Sequence, residues 1–241
     1  MFLPTIIFMM TSFVRIIITF SFLKSALGAQ QSIPNQILVG IALVLTIFIM
    51  SPVVDKINKE AIQPYREEKI TFQEGIEKAQ IPMKEFLLKQ TRDEDINLFL
   101  DSARIDKNDV ARENLPLQVL VPAFAISELK TAFQIGFLIY LPFLLIDLVV
   151  SSALMSMGMF MLPPAMISLP FKLLLFIMVD GWNLLIKSLQ SLTKSSLILF
   201  FFTNDLISSF VDAISKIAKV FFFFSLLFET KMFTSIAIFF L

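Results

Sequence analysis

The most distinctive chemistry in the chain belongs to four methionines in the run Met155-Ser-Met-Gly-Met-Phe-Met161. They occupy alternate positions, a spacing that spreads side chains around a helix but aligns them along an extended segment. Gly158 at the centre, with Pro163 and Pro164 just after, favours a non-helical turn. Thioethers are flexible and polarizable, so such a row can seal a conduit and re-form after something passes. The same atoms could instead bind Cu(I), or could simply pack between helices.

A second set of residues consists of charges in apolar surroundings: Arg15, Glu128, Lys130, Asp147, Lys172 and Asp180. An ionised side chain in a membrane is costly unless it is paired or hydrated. These charges therefore indicate inter-subunit pairs or a polar pathway, or else anchors at the interface, which suits Lys172 and Asp180 best. Glu128 and Lys130 lie two positions apart, on different sides of a helix, so they cannot simply neutralise each other.

Several classes of function are excluded by composition. The chain has no Cys and no His, which excludes disulfides, thiol nucleophiles, Ser-His-Asp triads, zincin motifs and His-ligated haem. The 20 basic and 20 acidic residues cancel, so no positive surplus favours nucleic acid. We therefore predict no enzymatic activity, no cofactor, no resident metal and no nucleic-acid partner.

The elements that must position these residues are membrane helices. The 241 residues are 56% hydrophobic and 17% charged, against about 45–50% and about 25% in soluble domains. Residues 55–113 carry 25 of the 40 charges, 11 basic and 14 acidic. We therefore predict an all-α, multi-pass membrane protein of helical hairpins with a small helical insert. Its segments are N-terminal membrane helices (1–54), the polar insert (55–114), a hairpin with the Met-rich loop (115–192) and a Phe-rich tail (193–241).

The apolar segments differ in length. Ile37–Val54 has 18 uncharged residues, about enough for a helix to span a bilayer. Two further spanning helices are predicted after Thr131, joined by a break near Met155–Pro164. In the first segment, Phe2–Leu23, Arg15 leaves a short apolar stretch before it. Either Arg15 snorkels to the interface or the chain begins partway into a longer helix.

The insert is predicted to be folded. Thr71 with Glu74, and Thr91 with Glu94, fit the capping box that begins a helix. Pro82 is expected to end the first of these helices and begin another. An apolar stripe follows at helical spacing, formed by Ile96, Phe99, Leu100 and Ala103. Because the linker after Arg15 is basic and has no acidic residue, we expect that linker to face the cytoplasm and the insert to be periplasmic.

Several motifs of five to ten residues are spread over the chain from about Thr5 to Leu192. They include Met10-Thr-Ser-Phe-Val-Arg-Ile-Ile-Ile18, Ser127-Glu-Leu-Lys-Thr-Ala-Phe-Gln-Ile-Gly136, Met155-Ser-Met-Gly-Met159, Ile167-Ser-Leu-Pro-Phe-Lys172 and Val179-Asp-Gly-Trp-Asn183. Together they resemble the FliP family of flagellar biosynthesis proteins. The injectisome counterparts are similar, but Arg15 and the Pro34-Asn-Gln36 run look more flagellar.

The resemblance implies a core subunit of the flagellar type III protein export gate, in the inner membrane at the basal body. It implies a homo-oligomeric ring, a pentamer, with FliQ-like and FliR-like membrane partners and exported flagellar proteins as cargo. It places Met155, Met157, Met159 and Met161 in the seal, and charges such as Glu128, Lys130 and Asp147 at subunit contacts. The alternatives are an injectisome gate subunit, or a solute or Cu(I) transporter that works as one chain.

Both ends depart from the family pattern. Met1 falls inside the expected first helix, which suggests a truncated start or a misassigned initiation codon. The segment 193–241 holds 12 of the 28 Phe residues in 49 positions. We expect this tail to be a frameshift or read-through product, the alternative being one or two additional apolar helices. A product altered in this way could also be non-functional.

Overall fold

The computed structural model describes residues 8–30, 32–105, 111–159 and 161–190. Every regular element among them is a helix, which confirms the predicted all-α class. The predicted tail, 193–241, and the start of the chain before Phe8 lie outside the described residues. The chain forms two compact units, whose boundaries fall between Tyr140 and Leu141 and between Ile186 and Lys187. The four-segment division stays a prediction.

Eight α-helices are described. They are α1 (Phe13–Ala26), α2 (Asn35–Ile57), α3 (Gln63–Arg66), α4 (Phe72–Gln90), α5 (Asp93–Ser102), α6 (Leu117–Ser156), α7 (Pro164–Met178) and α8 (Gly181–Gln190), with a π-helical turn Asn58–Ile62 and a 3₁₀ turn Arg112–Asn114.

Among the residues that the structure describes, two helical stretches are long and apolar enough to cross a membrane. The first is Asn35–Arg66, which is 32 residues long and contains the predicted span. The second is α6, whose 40 residues run through Asp147 without interruption. A third candidate is α7 together with Gly181–Leu189, which are bent by 68° at the break between them. A helix satisfies its own backbone hydrogen bonds, which is why such apolar sequence adopts it in lipid.

The insert begins as predicted and then differs. Thr71 starts α4 with a complete capping box, in which the Thr71 N–H donates to Glu74 Oε2 at 2.7 Å. Pro82 does not end this helix, as the sequence suggested, but lies buried inside it. The second predicted capping box is also wrong. Arg92, and not Thr91, precedes α5, because the buried Thr91 hydroxyl donates back to the Leu87 carbonyl at 2.6 Å.

The insert helices pack on the first turns of α6. Phe86 of α4 lies against Phe124 of α6, with ring centroids 5.9 Å apart. The predicted stripe on α5 supplies Ile96 and Leu100 to a second cluster with Val119 of α6. The amphipathic pattern therefore marks a real contact face, and its partner is the start of a membrane-length helix in the same unit.

Helices α1 and α6 run parallel. Arg15 of α1 contacts Glu128 of α6. Two turns further along both helices, Phe22 contacts Gly136, so the two helices run in the same direction. The Phe22 ring also meets Phe133 edge-on, at a centroid distance of 5.3 Å. A Cβ on Gly136 would lie 2.9 Å from the Phe22 Cβ, so only glycine permits this approach.

Candidate functional site

The methionine-rich turn, defined here as residues 155–161, begins in the last turn of α6. Met155 is still helical, so the run is not extended throughout. The helix then ends in a Schellman motif. The Gly158 N–H donates to the Met155 carbonyl at 3.1 Å, and the Met159 N–H donates to the Leu154 carbonyl at 3.0 Å. Gly158 has a φ of +73°, which a residue with a Cβ adopts only with strain.

The four methionine side chains of this turn are exposed in the part of the chain that the structure describes. Their exposed fractions are 61% for Met155, 50% for Met157, 44% for Met159 and 96% for Met161, whereas Met50 in the core is 4% exposed. A Cβ built on Gly158 would meet nothing within 4 Å. The turn is therefore available to a neighbouring molecule or to whatever passes beside it.

An ion pair joins the two helices that flank the turn. Lys172 Nζ of α7 donates to Asp147 Oδ2 of α6 at 2.7 Å, and Ser168 Oγ donates to Asp147 Oδ1 at 2.6 Å. Phe143 and Phe176, each four positions further from the methionine-rich turn, also pack together, with ring centroids 6.4 Å apart. These contacts make α6 and α7 an antiparallel hairpin with the methionines at its tip. The interfacial anchoring considered for Lys172 is not what the structure shows, because its side chain is only 6% exposed.

Arg15 and Glu128 form a buried ion pair between α1 and α6. Arg15 Nε donates to Glu128 Oε2 at 2.9 Å, and Arg15 Nη2 donates to Glu128 Oε1. The side chains are 4% and 1% exposed, so Arg15 does not snorkel to an interface. A buried charge is tolerated when its partner and hydrogen bonds are in place. The bidentate geometry of a guanidinium and a carboxylate provides both.

Lys130 has a different partner, in the insert. Its Nζ donates to Asp95 Oδ1, and the buried Asp95 also accepts from Ser127 Oγ at 2.6 Å. Ser127 Oγ in turn accepts the Arg92 N–H at 3.0 Å, which satisfies a donor at the start of α5. Asp95 was not predicted as a site residue, since it is one of many charges in the insert. Its place at the third position of α5, beside an apolar stripe, was the available signal.

Asp180 shapes the break between α7 and α8. It has a φ of +51°, and its carbonyl accepts the Asn183 N–H at 3.0 Å at the start of α8. The next residue is Gly181, where a Cβ would overlap the Phe176 ring. Trp182 then packs edge-on against Phe176, at a centroid distance of 5.3 Å. The described role of Asp180 is thus local, and its anchoring at an interface stays a prediction.

Among the described residues, no group of three or more His, Cys, Asp or Glu side chains could hold a metal ion. Five of the predicted charged residues, Arg15, Glu128, Lys130, Asp147 and Lys172, form ion pairs, whereas Asp180 hydrogen-bonds to Asn183. The site is an arrangement of ion pairs and exposed thioethers, which can position helices and close a gap.

Comparison with known proteins gives the family. A model of the FliP family matches residues 1–189. The chain is 56% identical over 186 residues to the flagellar biosynthetic protein FliP of Bacillus subtilis (strain 168), covering 77% of this chain and 84% of that protein. It is 49% identical over 187 residues to the protein of that name from Aquifex aeolicus (strain VF5), covering 77% and 78%.

A longer relative shows the same similarity. Identity to the flagellar biosynthetic protein FliP of Buchnera aphidicola subsp. Baizongia pistaciae (strain Bp) is 55% over 188 residues, covering 78% of this chain and 52% of that protein. The chain therefore spans about half the length of that relative. With matches of this extent, the chain belongs to the FliP family.

Proposed function

We propose that this protein is a core subunit of the flagellar type III protein export gate. It is a membrane protein of flagellar biosynthesis and not an enzyme. In the proposal it assembles as a homo-oligomeric ring, a pentamer, together with FliQ-like and FliR-like membrane proteins. The ring surrounds a conduit for exported flagellar proteins in the inner membrane.

The observation that carries the proposal is the methionine-rich turn at the tip of the α6–α7 hairpin. Four flexible, apolar side chains project from a turn that nothing else in the described chain covers. Copies of this turn around a ring would bring many thioethers together. Since unbranched side chains fill irregular gaps well, such a ring of methionines suits a seal that opens for a polypeptide and closes behind it.

The paired charges support an assembly built from rigid subunits. Arg15 with Glu128, and Lys172 with Asp147, fix helix positions within one chain. In the proposal the charged side chains also lie near subunit contacts. Lys130 and Asp147 suit that role best, because their side chains remain 46% and 35% exposed while paired.

The proposed topology is multi-pass, with the linker after α1 in the cytoplasm and the insert in the periplasm. The fold supports placing the linker and the insert at opposite ends of the unit to which both belong. Because α1 runs parallel to α6 and the insert packs on the first turns of α6, the end of α1 points away from the insert. Lys24, in the last turn of α1, supports placing the linker that follows it in the cytoplasm, whereas Arg15 is neutralised by Glu128 and adds nothing to that argument.

The experiment is an ion-leak assay of cells that express the chain with candidate partners. Met157→Lys and Met159→Lys should each make the membrane permeable to small ions, since an ammonium in the seal recruits water. Assembly should persist, because both side chains are exposed within the chain. Met157→Leu is the matched control and should stay tight. Ion-tight, fully assembled lysine variants would show that these positions do not form the seal.

A further inference from the structure

The methionine-rich turn holds the densest group of exposed sulfur atoms in the described chain, in which Met9 and Met178, 46% and 50% exposed, stand singly. Four thioethers lie within seven residues, and each is at least 44% exposed. Met166, in the first turn of α7, is exposed as well. In contrast, Met50 lies in the core formed by Phe86, Leu87, Leu120 and Phe124. An oxidant can reach Met50 only when that core opens, whereas no core within the chain has to open to expose the turn.

We propose that the methionine-rich turn is a redox-sensitive modification site whose oxidation to sulfoxide opens the conduit reversibly. The inference rests on the proposed seal. The oxidant is a two-electron oxidant of the peroxide class. A thioether sulfur attacks one peroxide oxygen, the S–O bond forms and the O–O bond breaks. The sulfur loses two electrons. The leaving hydroxide takes up the proton of the transferred oxygen and departs as water.

The consequence follows from the change in polarity. Sulfoxide turns a flexible apolar side chain into a polar one that binds water, and so disrupts contacts made by methionine. Water held between the side chains of a seal gives small ions a path. Methionine sulfoxide reductases, one for each sulfoxide epimer, return the sulfur to thioether with two electrons from a dithiol, which becomes a disulfide while the oxygen leaves as water, so the opening is reversible.

The first measurement locates the modification. Membranes containing the full chain and its candidate partners are treated with graded hydrogen peroxide, and sulfoxide is quantified on each methionine peptide by mass spectrometry. The peptide carrying residues 155–161 should oxidise faster than the one carrying Met50, by on the order of tenfold or more. Equal rates for the two peptides would overturn the inference and leave the proposed seal untouched.

The second measurement is the leak of small ions through the proposed seal. Peroxide should increase ion leak in vesicles with the unmodified chain, and the reductases for both sulfoxide epimers, added with a dithiol reductant, should reverse it. The combined variant Met155→Leu, Met157→Leu, Met159→Leu and Met161→Leu keeps apolar side chains that peroxide does not oxidise, so its leak should not change on treatment. Met50→Leu is the matched control and should respond like the unmodified chain.

The outcomes separate the two proposals. A treated leak that persists in the fourfold leucine variant would overturn the inference, because the oxidised site would lie elsewhere. Complete oxidation of the turn without any leak would overturn both the inference and the seal on which it rests.

Discussion

Removing one partner of the Arg15–Glu128 pair should destabilise the chain strongly. Glu128→Ala leaves a guanidinium that is 4% exposed without its carboxylate, between α1 and α6. Breaking a buried pair in this way costs about 3–5 kcal/mol. In a chain of this size, each kcal/mol shifts the melting temperature by about 2–4 °C, so we expect a loss of about 6–20 °C. The assay is thermal unfolding of the full chain in detergent.

Two matched variants isolate the cause. The exposed pair Lys56–Glu85 has the same type of contact, at 2.9 Å, but its side chains are more than half exposed. Glu85→Ala should therefore cost less than about 1 kcal/mol. The double variant Arg15→Met with Glu128→Leu removes both charges and should recover most of the lost stability. If Glu128→Ala melts within about 1 °C of the unmodified chain, or the double variant melts as low as the single one, the argument from burial is refuted.

The remaining predictions concern one helix crossing and one cap. Gly136→Ala should destabilise the chain by about 1–3 kcal/mol in the same thermal assay, because its Cβ would overlap Phe22. Gly40→Ala, where a Cβ meets nothing within 4 Å, should be neutral or stabilising, and equal effects at the two glycines would contradict the close approach. The Thr71 N–H and, secondarily, its hydroxyl hold the pKa of Glu74 below its ordinary value. Because its pKa is lower in the folded state, the Glu74 carboxylate stabilises the fold at pH values above its ordinary pKa. This stabilisation is lost as the pH falls through the folded-state pKa. Between about pH 5 and pH 3, the free energy of unfolding of Glu74→Gln should therefore fall by less than that of the unmodified chain. If the two free energies fall in parallel with pH, the assignment of the capping box is contradicted.

The elements that depend on local sequence were predictable. The capping box at Thr71 needs only residues three apart, and it is present as predicted. The break before Pro164 follows from Gly158 and the two prolines, whose backbone preferences act locally. Three members of the predicted apolar stripe, Ile96, Phe99 and Leu100, likewise follow from helical spacing, whereas the fourth, Ala103, lies just past the end of α5 and is exposed.

The failures share a different physical cause, which is contact between distant parts of the chain. At the start of α5, Ser127, 35 positions after Arg92, accepts the Arg92 N–H, while the Thr91 hydroxyl donates to the Leu87 carbonyl and does not cap the helix. Pro82 was expected to end a helix, but it lies buried inside α4, and burial of a residue is not a property of its neighbours in sequence. No spacing rule pairs Arg15 with Glu128, which are 113 positions apart. The pairing of charges is therefore the part of the site that required the structure.

The central claim is that this chain forms a gate with partner proteins, and native mass spectrometry tests it most directly. The full chain would be co-expressed with FliQ-like and FliR-like membrane proteins and extracted in mild detergent. We expect a stable heteromer that contains several copies of this chain. A lone monomer, under conditions in which the same partners assemble with another FliP-family protein, would contradict the proposed gate.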